Sequence, residues 1–145
     1  MSGRASAKRL GNWGEAFVAE WLRHRGYGIL ETHFSCREGE IDLIAQNGEV
    51  IAFVEVKTRR DVQYGAGREH VDSRKQRRMT CAALRYLMLH PEWMPRMRFD
   101  VAELLAVDGV ETAEPELRYL ERAFECDSSN WIGTGGTWND SYSPF

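Results

Sequence analysis

Apolar residues near the start of the chain recur every three or four positions, as in a helix that buries one face. The positions that form this pattern are Leu10, Trp13, Ala16, Phe17, Trp21 and Leu22. We therefore predict a helix over residues 4–25. Gly26 is placed to end it, because glycine readily adopts the left-handed conformation that closes many helices.

Three segments with the alternation or β-branched content of strands follow, at residues 27–35, 40–46 and 50–58. The last two are separated by Asn47-Gly48 and its neighbours. This dipeptide favours a tight hairpin, since both central residues of a type I′ turn need positive φ. The pattern predicts an antiparallel hairpin with its turn at Asn47-Gly48.

A charged, glycine-containing loop is expected over residues 59–70, before a second helix. Asp72 or Ser73 is suited to cap this helix, since short polar side chains accept hydrogen bonds from the first turn. The helix should run through Leu89 and end at His90-Pro91, because the residue before a proline disfavours helical geometry.

Two more strands are predicted at residues 98–105 and 117–124, around an acidic turn at Asp108-Gly109. The order helix, three strands, helix, two strands indicates a single α/β domain over residues 1–124. Residues 125–145 contain no Lys or Arg, are rich in Gly, Ser and Asn and show no period, so we interpret them as a polar tail.

Composition excludes several classes of protein. The 145 residues are 43% hydrophobic and 28% charged, which is typical of a soluble globular domain. No apolar run approaches the 18 residues of a membrane span, and the basic start lacks the apolar core of a secretory signal. The three cysteines form no C-x-x-C pair, which argues against a disulfide framework or a zinc site. We expect a cytoplasmic protein with reduced thiols.

The basic residues are concentrated in the middle of the chain. Residues 57–98 hold eleven Lys or Arg and four Asp or Glu, a local net charge of +7, although the whole chain carries −3. Such a segment suits binding to phosphates. A solvated helix surface is the alternative that charge alone leaves open.

The hairpin brings acids together. With the turn at Asn47-Gly48, Asp42 would face Phe53 and Glu40 would face Glu55. Paired residues share a face and alternate residues change face. One side would then carry Glu40, Asp42, Phe53, Glu55 and Lys57, and the other would carry Ile41, Leu43, Val54 and Val56.

Carboxylates on one face of an apolar hairpin need partners or a metal if that face is covered. Asp42, Glu55, the backbone carbonyl of Val56 and waters would form the oxygen-rich shell that Mg²⁺ or Mn²⁺ favours. Lys57 beside them could stabilise charge on a phosphate. The alternative is a solvent-facing hairpin whose charges pair across the strands.

Several motifs resemble a known family. They are Gly14-Glu15, the stretch from Gly39 to Ile44, the stretch from Phe53 to Arg59, Lys75-Gln76-Arg77-Arg78 with residues 82–87, and Arg98-Phe99-Asp100-Val101. In this order they resemble the bacterial YraN-type family over residues 10–124. Asp42 followed by Glu55-Val56-Lys57 also resembles the core of the PD-(D/E)xK nucleases, and the family is similar to archaeal Holliday-junction resolvases. No proline precedes Asp42, which departs from the nuclease consensus.

The resemblance implies a restriction-endonuclease-like fold, with a central mixed five-stranded sheet flanked by helices. It implies that Asp42 and Glu55 bind the metal, that Lys57 is the catalytic lysine and that Glu15 adds a further acid, with an exposed helix position as the alternative for Glu15. Other residues would lie around this set. Glu40 and Gln76 would support it from outside, and the expected contacts to nucleic acid are Arg59, Arg74, Lys75, Arg77 and Arg78.

These implications predict a Mg²⁺- or Mn²⁺-dependent endonuclease that cuts branched DNA in repair or recombination. A homodimer is expected, because symmetric cutting of a two-fold junction calls for two matched sites. The alternatives are a nucleic-acid-binding module without turnover and an adaptor whose tail recruits a protein partner.

Overall fold

The computed structural model describes residues 3–60 and 71–125. Helices and strands follow the predicted order, and the strands form one five-stranded sheet in the order β1-β2-β3-β4-β5. The elements are α1 Gly3–His24, β1 Gly28–Cys36, β2 Gly39–Asn47, β3 Val50–Arg59, α2 Ser73–Leu89, β4 Met97–Leu105 and β5 Glu116–Phe124. Each agrees with its predicted bounds to within about a residue. Most of the predicted loop over 59–70, and the tail beyond residue 125, lie outside the described residues.

The sheet is mixed, as predicted. Strands β3 and β4 are parallel and joined through α2, whereas the other neighbouring pairs are antiparallel. A parallel pair needs a crossover connection, and α2 supplies it. Short 3-10 helices at Pro91–Arg96 and Gly109–Glu111 complete the connections on either side of β4.

The predicted end of α1 and the predicted start of α2 are confirmed. Gly26 has φ +91°, and the Tyr27 N–H donates to the Leu22 carbonyl at 3.0 Å, as expected for a helix closed by a left-handed glycine. At the start of α2, Asp72 Oδ1 accepts a hydrogen bond from the Lys75 N–H at 2.8 Å. Local side-chain chemistry therefore sets these boundaries.

The helices cover opposite faces of the sheet and create two cores. One core lies between α2 and the sheet and includes Phe53 and Leu84. The other lies between α1 and the sheet and includes Val18 and Val54. No helix in the described part of the chain is long and apolar enough to cross a membrane.

The buried face of α1 differs from the prediction. Its fully buried positions are Gly14, Val18, Ala19 and Leu22, whereas Ala16 is exposed and Leu10, Trp13, Phe17 and Trp21 are only partly buried. Small side chains let the helix lie close to the sheet, and the larger aromatic rings pack along its edges. Trp21, for example, stacks on Tyr119 with ring centroids 5.0 Å apart.

The predicted hairpin register is wrong, because the turn lies one residue further along the chain. Asn47 pairs with Val50, so the two connecting residues are Gly48 and Glu49, and Ile44 rather than Asp42 faces Phe53. Gly48 has φ +60°. A type II′ turn requires glycine at its first central position, so the turn is of this type and not of the expected type I′.

Candidate functional site

The site lies where β2 and β3 separate. Their pairing ends at Leu43 and Val54, and beyond it the Val56 N–H donates to Asp42 Oδ2 at 2.8 Å. A side chain thus replaces the next backbone partner of β3. Asp42 and Glu55 come to lie beside each other, as the sequence predicted in spite of the register error.

Strand β2 changes faces at this point. Leu43 packs in the core under α1, but Ile41, two residues earlier, packs in the core under α2. Ile41 was predicted to share a face with Leu43 and Val54, and that prediction is wrong because the alternation is interrupted at Asp42. Asp42 therefore lies at a step in the strand that residues from both helices can approach.

Two lysines approach Glu55, whose residue is only 4% exposed. Lys57 Nζ lies 3.6 Å from Glu55 Oε1. Lys75, from the first turn of α2, forms an ion pair with the same oxygen. The structure therefore brings the predicted Asp42, Glu55, Lys57 and Lys75 together.

Glu15 reaches the site from α1. Its carboxyl group lies close enough to Asp42 for each to affect the pKa of the other, and its Oε2 contacts the ring Nε2 of His33 of β1. The preceding Gly14 makes this approach possible, because a Cβ at that position would lie 2.0 Å from Thr58 Oγ1. Glu15 is half-buried, so the alternative of a freely exposed helix residue does not describe it.

A cavity of about 680 Å³ opens beside the carboxylates, between the start of β2 and the start of α2. Its acidic lining residues are Glu38, Glu40, Asp42, Glu55 and Asp72. Its rim carries basic residues, which are Arg37, Arg74, Lys75 and Arg78. Arg37 was not among the predicted contacts, although its place next to the Gly39-Glu40 motif could have indicated it.

Six predicted residues do not line this cavity, and they are Glu15, Val56, Lys57, Arg59, Gln76 and Arg77. Arg59 and Arg77 are partly buried elsewhere. The Gln76 side chain donates through Nε2 to the Val71 carbonyl at 2.8 Å, which fixes the backbone just before α2. Gln76 therefore supports the helix that carries Lys75 rather than facing the acids.

Burial and mutual repulsion raise the pKa of all three central acids. Burial raises the pKa of Glu15 to about 6, with the charges of Glu55 and Glu40 adding to it and the hydrogen bond to Asp42 opposing it. Burial also raises the pKa of Asp42, opposed by the Val56 N–H and reinforced by Glu15. For Glu55, burial and the charge of Asp42 raise the pKa against the effect of Lys75.

The two lysines respond in opposite directions. Burial, and then the charge of Lys75, lower the pKa of Lys57 against the attraction of Glu55. Burial alone would lower the pKa of Lys75 as well, but its contact with Glu55 outweighs this and raises it. Lys75 is thus the lysine that neutralises Glu55, and Lys57 is the one whose proton is held less tightly.

The donor set suits a hydrated hard cation. Within residues 3–60 and 71–125, no three His, Cys, Asp or Glu side chains converge as a ready-made metal cage. Mg²⁺, however, is commonly held by one or two carboxylates, with waters filling the remaining positions. Asp42 and Glu55 provide such a pair, and the ammonium of Lys75 on Glu55 shows that the pair attracts positive charge.

Sequence reasoning missed two residues near the site. His33 is not among the predicted site residues, yet it contacts Glu15. Glu103 of β4 is 1% exposed and lies in register with Lys57 on the neighbouring strand. The sequence signal for Glu103 is an acid in the otherwise apolar run from Val101 to Leu104. His33 has no sequence signal, and only its positive φ marks it.

Comparison with known proteins places the chain that carries this arrangement among a set of bacterial proteins of similar sequence. The chain belongs to the family described as Uncharacterised protein family UPF0102, whose model matches residues 14–104. This range runs from Gly14 to the last but one residue of β4, so it includes every acid and lysine of the site. The membership agrees with the family assignment made from the motifs.

Individual relatives match over most of their length. A UPF0102 protein of Syntrophomonas wolfei is 44% identical over 102 residues, which is 70% of this chain and 89% of the relative. One from Geotalea uraniireducens is 42% identical over 122 residues, covering 84% of this chain and 94% of the relative. One from Anaeromyxobacter dehalogenans is 37% identical over 129 residues, covering 89% and 90%.

Proposed function

We propose that this protein is a divalent-cation-dependent DNA endonuclease. The observation that supports the proposal is the pairing of Asp42 with the buried Glu55, with Lys57 Nζ 3.6 Å from Glu55 Oε1. Two carboxylates and a lysine beside an open cavity are the groups that metal-assisted phosphodiester hydrolysis requires. The likeness to PD-(D/E)xK nucleases, drawn from the sequence motifs, points to the same chemistry.

Asp42 and Glu55 would hold Mg²⁺ or Mn²⁺, with the Val56 carbonyl as a further candidate ligand and Glu15 supporting from α1. The bound ion would supply Lewis-acid stabilisation of the phosphate and a water of lowered pKa. The Val56 N–H fixes the orientation of Asp42, which reduces the reorganisation needed when a cation binds. Lys57, whose pKa is lowered, is placed to interact with charge developing on a phosphate oxygen or to orient the attacking water.

The rim of the cavity accounts for binding to DNA. Arg37, Arg74 and Arg78 line the same cavity as the acids, and guanidinium groups contact phosphates without reading sequence. We propose a structured or branched substrate and a homodimer, on the basis of the likeness to junction resolvases. The rim itself predicts only backbone recognition.

Cleavage assays with four labelled DNAs test the proposal. A four-way junction, a flap, a single strand and a linear duplex are incubated with Mg²⁺ or Mn²⁺ and with wild type, Glu55→Ala or Lys57→Ala. Arg96→Ala is the matched basic control, because Arg96 pairs with Glu49 away from the cavity. We expect cleavage of at least one branched DNA, lost in both site variants and kept in the control.

Salt dependence provides a second test, which separates binding from cleavage. If the rim neutralises about four phosphates, the logarithm of the binding constant should fall with log salt at a slope near −3.6. Arg78→Ala should reduce that slope by about one. Binding without any cleavage would favour the alternative of a nucleic-acid-binding module, and a slope near zero would reject both.

A further inference from the structure

The backbone of β1 is bent at His33, directly opposite the candidate site. His33 has φ +53°, and only Arg122 shares a positive φ among the non-glycine residues of the described chain. The flanking pairs Thr32 with Leu43 and Phe34 with Ile41 keep the same register across it. His33 therefore stands opposite Asp42, at the step where β2 changes faces.

The bend turns β1 in the same way as β2. Phe34 packs edge-on against Tyr86 of α2 with ring centroids 5.4 Å apart. Thr32, two residues earlier, lines a hollow of about 330 Å³ beneath α1, together with Glu15 and His33. Residues two apart on a regular strand would share a face, so the bend is what brings the His33 ring to the α1 side.

Left-handed backbone is costly for a residue with a Cβ, and such conformations persist where the surroundings enforce them, often at functional sites. At Arg122 the reason is visible, because its N–H donates to the buried Asp100 carboxylate at 3.1 Å. At His33 the matching contact is made by the side chain, whose Nε2 meets Glu15 Oε2.

Glu15 needs a partner to remain where it is. Its side chain is 15% exposed, and the carboxylates of Glu55 and Glu40 repel its negative charge. A carboxyl group surrounded by negative charge would turn toward solvent unless a donor held it. The imidazole of His33, whose Nε2 contacts Glu15 Oε2, is the basic group placed to hold it.

We propose that His33 is a positioning residue, which holds the Glu15 carboxyl group beside Asp42 and so completes the acidic site. The inference deepens the proposed function, and rests on it in that Glu15 is taken to support the cation. It assigns a role in that site to a strand residue which the sequence motifs do not include.

The variant His33→Gly tests this role, because glycine accepts the positive φ at no steric cost while removing the ring. His33→Gln restores a side-chain N–H donor of similar reach. His24→Gln is the matched control, since His24 is exposed at the end of α1. Should the glycine variant fail to fold, His33→Asn replaces it, because asparagine tolerates left-handed backbone and its amide is too short to reach Glu15.

Two readouts on the full-length chain are combined. Crystal structures of wild type and His33→Gly report the position of the Glu15 carboxyl group without any metal. Calorimetric titration with Mn²⁺ alone reports the affinity of the site, for which losing a group that orients a ligand typically costs about tenfold or more. We expect Glu15 to swing away from Asp42 in His33→Gly, with the Mn²⁺ affinity lowered and largely recovered in His33→Gln.

An unmoved Glu15 in His33→Gly would overturn the inference, as would unchanged Mn²⁺ affinity. A loss of affinity that persists when Glu15 is already alanine would overturn it too, because His33 is argued to act through Glu15. If wild type binds no Mn²⁺, the metal centre of the proposed function fails, and the position of Glu15 in the crystals decides the role of His33 by itself.

Discussion

Helix α1 approaches strand β3 so closely at Gly14 that a single methyl group should disturb the site. A Cβ on Gly14 would lie 2.0 Å from Thr58 Oγ1 and 3.2 Å from Thr58 Cβ. Gly11, one turn earlier on the same helix, has nothing within 4 Å of such a Cβ. The two glycines therefore form a matched pair in which only one substitution meets the sheet.

Alanine at the two positions should change the free energy of unfolding in opposite directions. Alanine in place of glycine inside a helix gains about 0.5–1 kcal/mol, so Gly11→Ala should stabilise the protein by that amount. Overpacking costs about 1–3 kcal/mol, so Gly14→Ala should destabilise it by about 0.5–2 kcal/mol after the same gain. The difference between the variants cancels helix propensity and isolates the contact with Thr58.

Urea unfolding followed by circular dichroism measures these differences, with Thr58→Ala completing a double-mutant cycle. Thr58→Ala removes the hydroxyl and methyl groups, so it should recover most of the loss in Gly14→Ala. Because Glu15 follows Gly14, the same shift of α1 should also weaken Mn²⁺ binding. Equal stability of Gly11→Ala and Gly14→Ala would refute the close approach that brings Glu15 to the site.

Three further predictions concern charges. Folding raises the pKa of Glu15 from 4.5 to about 6, so the charge of Glu15 destabilises the fold above pH 6, and this cost disappears as the pH falls to about 4.5. The stability of Glu15→Gln relative to wild type should therefore rise by about 2 kcal/mol between pH 4.5 and 7.5. Urea unfolding in the presence of EDTA measures this difference. Lys75→Ala removes an ion pair from the buried Glu55 and should lower stability by about 1–3 kcal/mol, with Mn²⁺ raising the melting temperature more than in wild type. Asp100→Asn leaves Arg98, whose side chain is 10% exposed, without its buried counter-charge and should cost about 3 kcal/mol, whereas an unchanged urea midpoint would contradict that account.

The elements were predictable because their signals are local. Gly26 and Asp72 act within one turn of their helices, and the period of the apolar residues distinguishes helix from strand over a few positions. The side of the hairpin on which each residue lies was also predicted correctly at Asp42 and Glu55, although the turn was not. Moving the turn by one residue at each strand changes the paired residues but keeps Asp42 and Glu55 on the same face. This is why the central carboxylates were found from sequence.

What the sequence could not provide depends on contacts between distant segments. The rotation of the buried face of α1 follows from the space that Gly14 and Thr58 leave between helix and sheet. The exchange of faces at Asp42 is matched by a bend in β1 at His33, a residue that carries no strand-breaking signature. The hydrogen bond from Gln76 to the Val71 carbonyl likewise depends on the path of the backbone just before α2.

Asp42, Glu55 and Lys57 are proposed to hydrolyse DNA with a divalent cation. The most direct measurement is single-turnover cleavage of a labelled four-way junction in Mn²⁺ by wild type and Lys57→Ala, with junction binding measured in the same samples. We predict that Lys57→Ala binds the junction within about threefold of wild type and cleaves it at least about a hundredfold more slowly. Equal cleavage rates for the two proteins would contradict the proposed site.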